Sequence, residues 1–221
     1  TIRLGVATTT DDAEGDTMST VDSSGVAEDA IHAGIAELTG NIEQVPSAVS
    51  AVKVNGRRAY ELARAGEAVE LEARPVTVSR FDLLALRRTG PETELDVLVE
   101  CSSGTYVRAL ARDLGARLGI GGHLGALRRT RVGPFGLAGA RTLDQLAQQP
   151  ELSMGFGEAI ATAFPRSDVD TATARALAYG QAVPAAGVAG TYGVFGPDGS
   201  AVALVRDRGP IARPVLVVAP A

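Results

Sequence analysis

Arg108 and Arg112, four residues apart and followed by Arg128, Arg129 and Arg131, are the residues whose type and spacing best suit chemistry on an anion. A guanidinium is a planar fork that donates two parallel hydrogen bonds to a carboxylate or a phosphate. Val107, Leu110, Ala111, Leu114 and Leu118 recur at helical spacing, which predicts a helix begun by Ser103-Gly104-Thr105 and stopped at Gly119. Residues four apart share a helix face, so the two guanidinium groups project side by side near its N-terminal end. That end already carries partial positive charge, so arginines placed there need an anion from elsewhere. The alternative is a solvated face on which Asp113 pairs with Arg117 one turn on.

A second cationic group lies at 53–64, where Lys53, Arg57, Arg58 and Arg64 surround Tyr60. Such a patch attracts the phosphates of a folded RNA without reading its sequence, and its alternative is a solvated helix with Glu61 and Glu67 nearby. The run from Asp11 to Asp16 holds four acids in six positions but lacks EF-hand spacing, and it is read as a solvated turn. His32 falls one step off an apolar stripe and is read as structural. Cys101, the only cysteine, stands at a strand end with no base nearby and is read as a small buried hydrophobe.

The formal net charge of −5 argues against a nucleic-acid partner only if it is evenly spread. It is not: residues 1–50 carry −8, residues 51–131 carry +4 and residues 132–221 carry −1. A single cysteine rules out an internal disulfide framework and fits a reducing cytoplasm. With two histidines besides, a structural zinc site is not expected. No run approaches 18 consecutive apolar residues, so no membrane association is expected, and no secretory signal opens the chain.

These residues are positioned by elements that periodicity makes legible. Residues 2–10 are strand-like. Ser23 or Ser24 is expected to cap a helix over 26–39, with Ala27, Ile31, Ile35 and Leu38 inward and Gly40 as its stop. Residues 46–56 read as a strand and a turn at Asn55-Gly56, and 57–64 as a short helix ended by Gly66. Residues 76–86 and 94–101 read as adjacent antiparallel strands that deliver the chain to Gly104. Thr142 is expected to cap a short helix, and 147–165 looks like a boundary. Beyond it, 192–195 and 201–205 flank a turn at 196–199, and 213–219 forms a last strand, giving a small β-rich domain.

The run from Cys101 through Gly104-Thr105-Tyr106-Val107-Arg108, then Asp113-Leu114-Gly115, Gly122-His123 and Leu127-Arg128-Arg129, resembles the TruB family of tRNA pseudouridine-55 synthases. Leu4-Gly5, Thr8, Thr10 and Asp12 match its Leu-Gly-x-x-Thr-x-Thr-x-Asp run. Pro46, Ser50-Ala51, Lys53, Gly56, Tyr60 and Ala63-Arg64 match the insertion that serves the family as a thumb against the T stem-loop. The resemblance implies an α+β fold, a mixed, mainly antiparallel sheet with flanking helices. It would form a catalytic domain over 1–160 with a thumb at 45–78, followed by a small β-rich, PUA-like domain at 165–221.

By position, the resemblance makes Arg108 the partner of the catalytic aspartate and places Tyr106 and Leu127 in the uracil pocket. Lys53, Arg57, Arg58, Tyr60, Arg64, Arg128, Arg129 and Arg131 would meet RNA. It implies no metal or organic cofactor and a tRNA substrate; nothing in the sequence demands an oligomer, so a cytoplasmic monomer with no obligatory protein partner is expected. The family's nucleophilic aspartate belongs to a Gly-x-x-Asp motif, with a uracil-stacking tyrosine further on. Neither is matched here, and both are expected upstream of Thr1, so the 221 residues alone are expected to be inactive. The rival expectation is a non-catalytic RNA-binding or RNA-chaperone module, and a third is a structural protein with a solvated arginine surface.

Overall fold

Two long alternating runs form the backbone of the fold in the computed structural model, which describes residues 1–54, 56–65 and 71–218. Its compact units are Thr1–Arg128 and Arg129–Ala221. In chain order the first unit contains β1 (Ile2–Leu4), β2 (Val6–Thr8), β3 (Thr17–Thr20), α1 (Glu28–Glu37), β4 (Gly40–Gln44), β5 (Lys53–Val54) and β6 (Arg57–Arg58). It continues with α2 (Ala59–Arg64), β7 (Arg74–Thr89), β8 (Glu92–Cys101), α3 (Val107–Arg117) and β9 (Gly122–Leu124).

The central sheet is antiparallel throughout in the order β4-β7-β8-β1-β9. Val76 and Val78 of β7 point inward, but the next buried residue is Phe81, because the pairing with β8 shifts between Val78 and Arg80. That extra residue reverses the parity of the strand and keeps its apolar side on the core. The expected stripes of both helices close this core, except at Ala27, which is exposed at the start of α1 instead of facing inward. Ile31, Ile35 and Leu38 from the α1 segment and Leu110, Ala111 and Leu114 from α3 cluster with Ile2, Leu4, Val78, Phe81 and Leu95.

Several local expectations are corrected. Ala27, without a side-chain bond, occupies the cap of α1; Ser23 is buried and donates to the carbonyls of Leu4 and Pro91, while Ser24 bonds Asp22. Cys101, read from the sequence as buried, is exposed at the end of β8. Among the described residues of 46–56 only Lys53–Val54 is a strand, paired with Arg57–Arg58. Asn55, Gly66 and Glu67 lie outside the described residues. Asp113 pairs with its neighbour Arg112, and Arg117 reaches Glu37 of α1 instead.

The second unit contains β10 (Arg131–Val132), β11 (Phe135–Gly136), α4 (Leu143–Gln148), α5 (Phe156–Ala163), β12 (Arg166–Asp168), α6 (Thr171–Ala178) and β13 (Val183–Pro184). β14 (Thr191–Phe195), β15 (Ala201–Arg208) and β16 (Ile211–Val217) complete it. Thr142 caps α4 in a reciprocal box with Gln145, as its position suggested. The sheet order is β12-β14-β15-β16-β13. Leu177 of α6 is buried with Tyr192, Val194 and Val205, and Ile160 of α5 with Phe195 and Ala201. Among the described residues no helix is long and apolar enough to cross a membrane.

Candidate active site

Helix α3 carries the site because its backbone can approach β9 closely. A side-chain carbon on Gly115 would lie 2.2 Å from Gly121 C and Gly122 N, so only glycine fits where the helix passes over the turn into β9. The other end of α3 is fixed by Gln44, which is 2% exposed. Its Oε1 accepts from the Tyr106 N–H at 2.8 Å and its Nε2 donates to the Tyr106 carbonyl at 3.2 Å. A side-chain amide thus substitutes for a strand neighbour at a helix start that has no side-chain cap of its own.

The anions that the two arginines require are supplied by the acidic turn. Arg108 Nη1 donates to Asp12 Oδ2 at 2.8 Å and Nη2 to the Val49 carbonyl at 2.8 Å. Arg112 Nη1 donates to Asp11 Oδ2 at 3.1 Å and Nη2 to the Val45 carbonyl at 2.7 Å, while its Nε reaches Asp113. The reading of 11–16 as a solvated turn is therefore corrected at Asp11 and Asp12. Distance along the chain hid this pairing: Arg108 and Asp12 are 96 positions apart.

The turn is held against β9 by backbone bonds. Leu124 N–H donates to the Asp11 carbonyl at 2.9 Å and Ala13 N–H to the Leu124 carbonyl at 3.0 Å. Asp11 adopts φ +60°, a left-handed conformation that costs a non-glycine residue about 1 kcal/mol. Burial alone would push the Asp12 carboxyl up. Hydrogen bonds from the Thr10 hydroxyl, the Glu14 amide and Arg108 outweigh it and hold the pKa below the usual carboxylate range. Asp12 is thus a fixed anion at neutral pH, and Arg108 a fixed cation with 27% of its side chain exposed.

The remaining sequence-predicted residues fall into three groups. Tyr106 is half-buried at the cap of α3, and Leu127 is 57% exposed three residues beyond the point where Leu124 joins the acidic turn. Arg57 and Arg58 are exposed on β6, and Tyr60 lies in the first turn of α2, its N–H bonded to the Ser50 carbonyl. The side chains of Lys53 and Arg64 lie outside the described residues. Arg128, Arg129 and Arg131 are exposed at the end of the first unit and the start of the second.

Part of the arginine excess is consumed internally: Arg3 meets Glu94, Arg80 meets Asp82, and Arg87 meets Asp96 and Glu94. Gln44 and the Val45 and Val49 carbonyls were not found from the sequence, since backbone acceptors leave no trace in residue type. A cavity of about 350 Å³ lined by Arg3, Thr8, Ala13, Glu92 and His123 includes neither Arg108 nor its partners Asp12 and Val49. The Arg108 site is a surface between loops.

Residues 1–107 match the model of the TruB family pseudouridylate synthase N-terminal domain. Residues 108–154 match the tRNA pseudouridylate synthase B C-terminal domain, and residues 164–219 match tRNA Pseudouridine synthase II, C terminal. The tRNA pseudouridine synthase B of Nocardia farcinica (strain IFM 10152) is 56% identical over 220 residues, covering 100% of this chain and 72% of that protein. The chain belongs to the TruB family. The protein of the same name from Rhodococcus jostii (strain RHA1) is 54% identical over 222 residues, covering 100% of this chain and 73% of its own length.

Among solved structures, the fold is similar to a chain of a Cbf5-Nop10-Gar1 complex, with a TM-score of 0.63 at 22% identity. The alignment covers 99% of this chain and 66% of that one. A chain of an H/ACA RNP bound to a substrate RNA containing 2'-deoxyuridine gives a TM-score of 0.62 at 23% identity, over 88% of this chain and 62% of that one. At these identities the likeness concerns the fold, which is the mixed, mainly antiparallel pseudouridine synthase-like architecture expected. The family models change between residues 154 and 164, whereas the compact units meet at Arg128 and Arg129.

Proposed function

We propose that these residues form most of a tRNA pseudouridine synthase that isomerises the T-loop uridine at position 55, acting in the cytoplasm as a monomer without metal or organic cofactor. The observation that carries this reading is the Arg108 guanidinium, anchored by Asp12 and the Val49 carbonyl yet partly open to solvent, two residues after the Tyr106 cap. In the reaction the N1–C1′ glycosidic bond breaks, the uracil turns, a C5–C1′ bond forms, the C5 proton leaves to solvent and N1 takes up a proton in its place. The target base must leave its stack, which a loop permits more readily than a duplex.

Arg108 holds the nucleophilic carboxylate ionised and oriented, since a guanidinium beside a carboxylate lowers its pKa. Tyr106 and Leu127 border the uracil. Asp12 fills the Asp of Leu-Gly-x-x-Thr-x-Thr-x-Asp and not that of Gly-x-x-Asp, so we assign it to holding Arg108, and the nucleophile to a residue outside these 221. The exposed cations at 57–58 and 128–131, with Lys53 and Arg64, approach the T stem-loop.

Tritium release from C5-labelled uridine in a T-arm RNA tests this. The polypeptide that includes the Gly-x-x-Asp segment should release tritium and these 221 residues alone should not. Arg108→Lys in the active polypeptide should lose turnover at least about a hundredfold while binding changes little, because Lys cannot form a forked pair. Equal losses in both would place Arg108 on RNA phosphate. Binding of T-arm RNA without any release by the active-length polypeptide would instead favour the RNA-binding module.

A further inference from the structure

The two arginines of α3 repeat one pattern. Arg108 grips Asp12 and the Val49 carbonyl; Arg112, one turn later, grips Asp11 and the Val45 carbonyl. One helical turn on α3 therefore corresponds to one residue in the acidic turn and to four residues in the 45–49 loop. We infer that Arg112 is a positioning residue for the Arg108 site: it sets the two loops that present Asp12 and Val49 to Arg108, without itself touching the reacting atoms. This rests on the functional reading of Arg108 given above.

Three observations support the assignment. Asp11 is the only non-glycine residue at positive φ among the described residues, at +60°, and its carboxylate is held by Arg112 while its carbonyl accepts from Leu124. A strained residue persists where its surroundings over-determine it, and here a side-chain ion pair and a strand-like bond do so together. Because Asp12 follows Asp11 directly, the backbone angle at Asp11 decides where the Asp12 carboxylate points. The Asp11 and Arg112 side chains are 14% and 29% exposed, so the pair is sheltered from screening more than the ladder of exposed pairs on β7 and β8. Finally, Val45 follows Gln44, which fixes the Tyr106 cap, so Arg112 and Gln44 secure the start of the same loop from both sides.

The test combines two readouts. In the 221-residue chain, the Asp12 carboxyl is followed by carbon-detected NMR during acid titration in the wild type, Arg112→Gln, Arg112→Lys and Asp11→Asn. If Arg112 positions Asp12, the midpoint rises in each variant, because the bonds that hold the carboxylate ionised are misaligned, and the double variant Asp11→Asn with Arg112→Gln rises no further than the singles. In the polypeptide carrying the nucleophile, the same variants should lower kcat tenfold to about a hundredfold while KM stays within about twofold. Exchanging the charges, Asp11→Arg with Arg112→Asp, should recover part of kcat.

An Asp12 midpoint unchanged in folded Arg112→Gln overturns the proposal, as does a loss confined to KM, which would put Arg112 on RNA. Additive losses in the double variant also overturn it. If Arg112→Gln fails to fold, Asp11→Asn breaks the same pair from the other side and decides the matter. Should the wild-type polypeptide release no tritium at all, the functional reading fails, while the Asp12 titration still tests the positioning.

Discussion

At the scale of single residues, Asp12 and Arg108 illustrate how a half-buried ion pair is made worthwhile by neutral donors. Desolvation works against the Asp12 carboxylate, and the Thr10 hydroxyl and Glu14 amide turn the balance as much as the guanidinium does. Because the folded pKa lies below the unfolded value, the stabilisation is present above the ordinary carboxylate range and is lost as pH falls through the folded pKa. Asp12→Asn should lower stability at pH 7 by about 1–3 kcal/mol, the cost of leaving Arg108 without its charged partner. The difference from wild type should shrink on acidification, as urea unfolding at a series of pH values would measure. The sequence revealed that the arginines needed an anion, but not which one. The acidic run and the helix meet only because β9 carries the turn across the end of α3, a non-local pairing that leaves no periodicity to read.

At the scale of elements, the sharpest constraint is the contact between α3 and β9. Gly115→Ala gains up to about 1 kcal/mol of helix propensity, yet the new carbon would sit 2.2 Å from two backbone atoms that cannot rotate away. The clash should dominate, and we expect destabilisation of about 3 kcal/mol or more in denaturant unfolding. The long hairpin of β7 and β8, the stripes of α1 and α3, and the capped α4 were legible because each follows from local period and cap chemistry. Elements set by tertiary partners were not. Ser23 resembles a cap but is drawn into the core by the Leu4 and Pro91 carbonyls, and Gln44 gives no local sign that it will serve a helix 62 positions away. β12, two short helices of the second unit and β13 leave no such signal, because strands of two or three residues and eight-residue helices fall below the length at which periodicity speaks.

At the scale of the whole molecule, each unit carries an acid-sensitive latch, and the second also carries an alkaline one. Asp207 of β15 accepts from the Tyr192 hydroxyl at 2.6 Å and from the Gly187 and Val188 amides at 2.7 and 3.2 Å, tying the 187–188 loop to the sheet. The Tyr192 hydrogen bond leads in holding the Asp207 pKa low, so its contribution, like that of Asp12, is lost as pH falls through the folded pKa. Burial first, and Asp207 second, push the Tyr192 pKa from 10.0 up to about 12. Here the sign is opposite. The folded state keeps a proton that the unfolded chain releases near pH 10, so stability is undiminished below that value and falls as pH rises toward about 12. Tyr192→Phe removes the titrating group along with its bond. It should therefore be less stable than wild type at neutral pH, yet lose less of its stability between pH 10 and about 12. Thermal unfolding followed across that range would decide it. Parallel alkaline losses in both proteins would mean that Tyr192 ionises as readily folded as unfolded, and that Asp207 is held by the 187–188 amides alone.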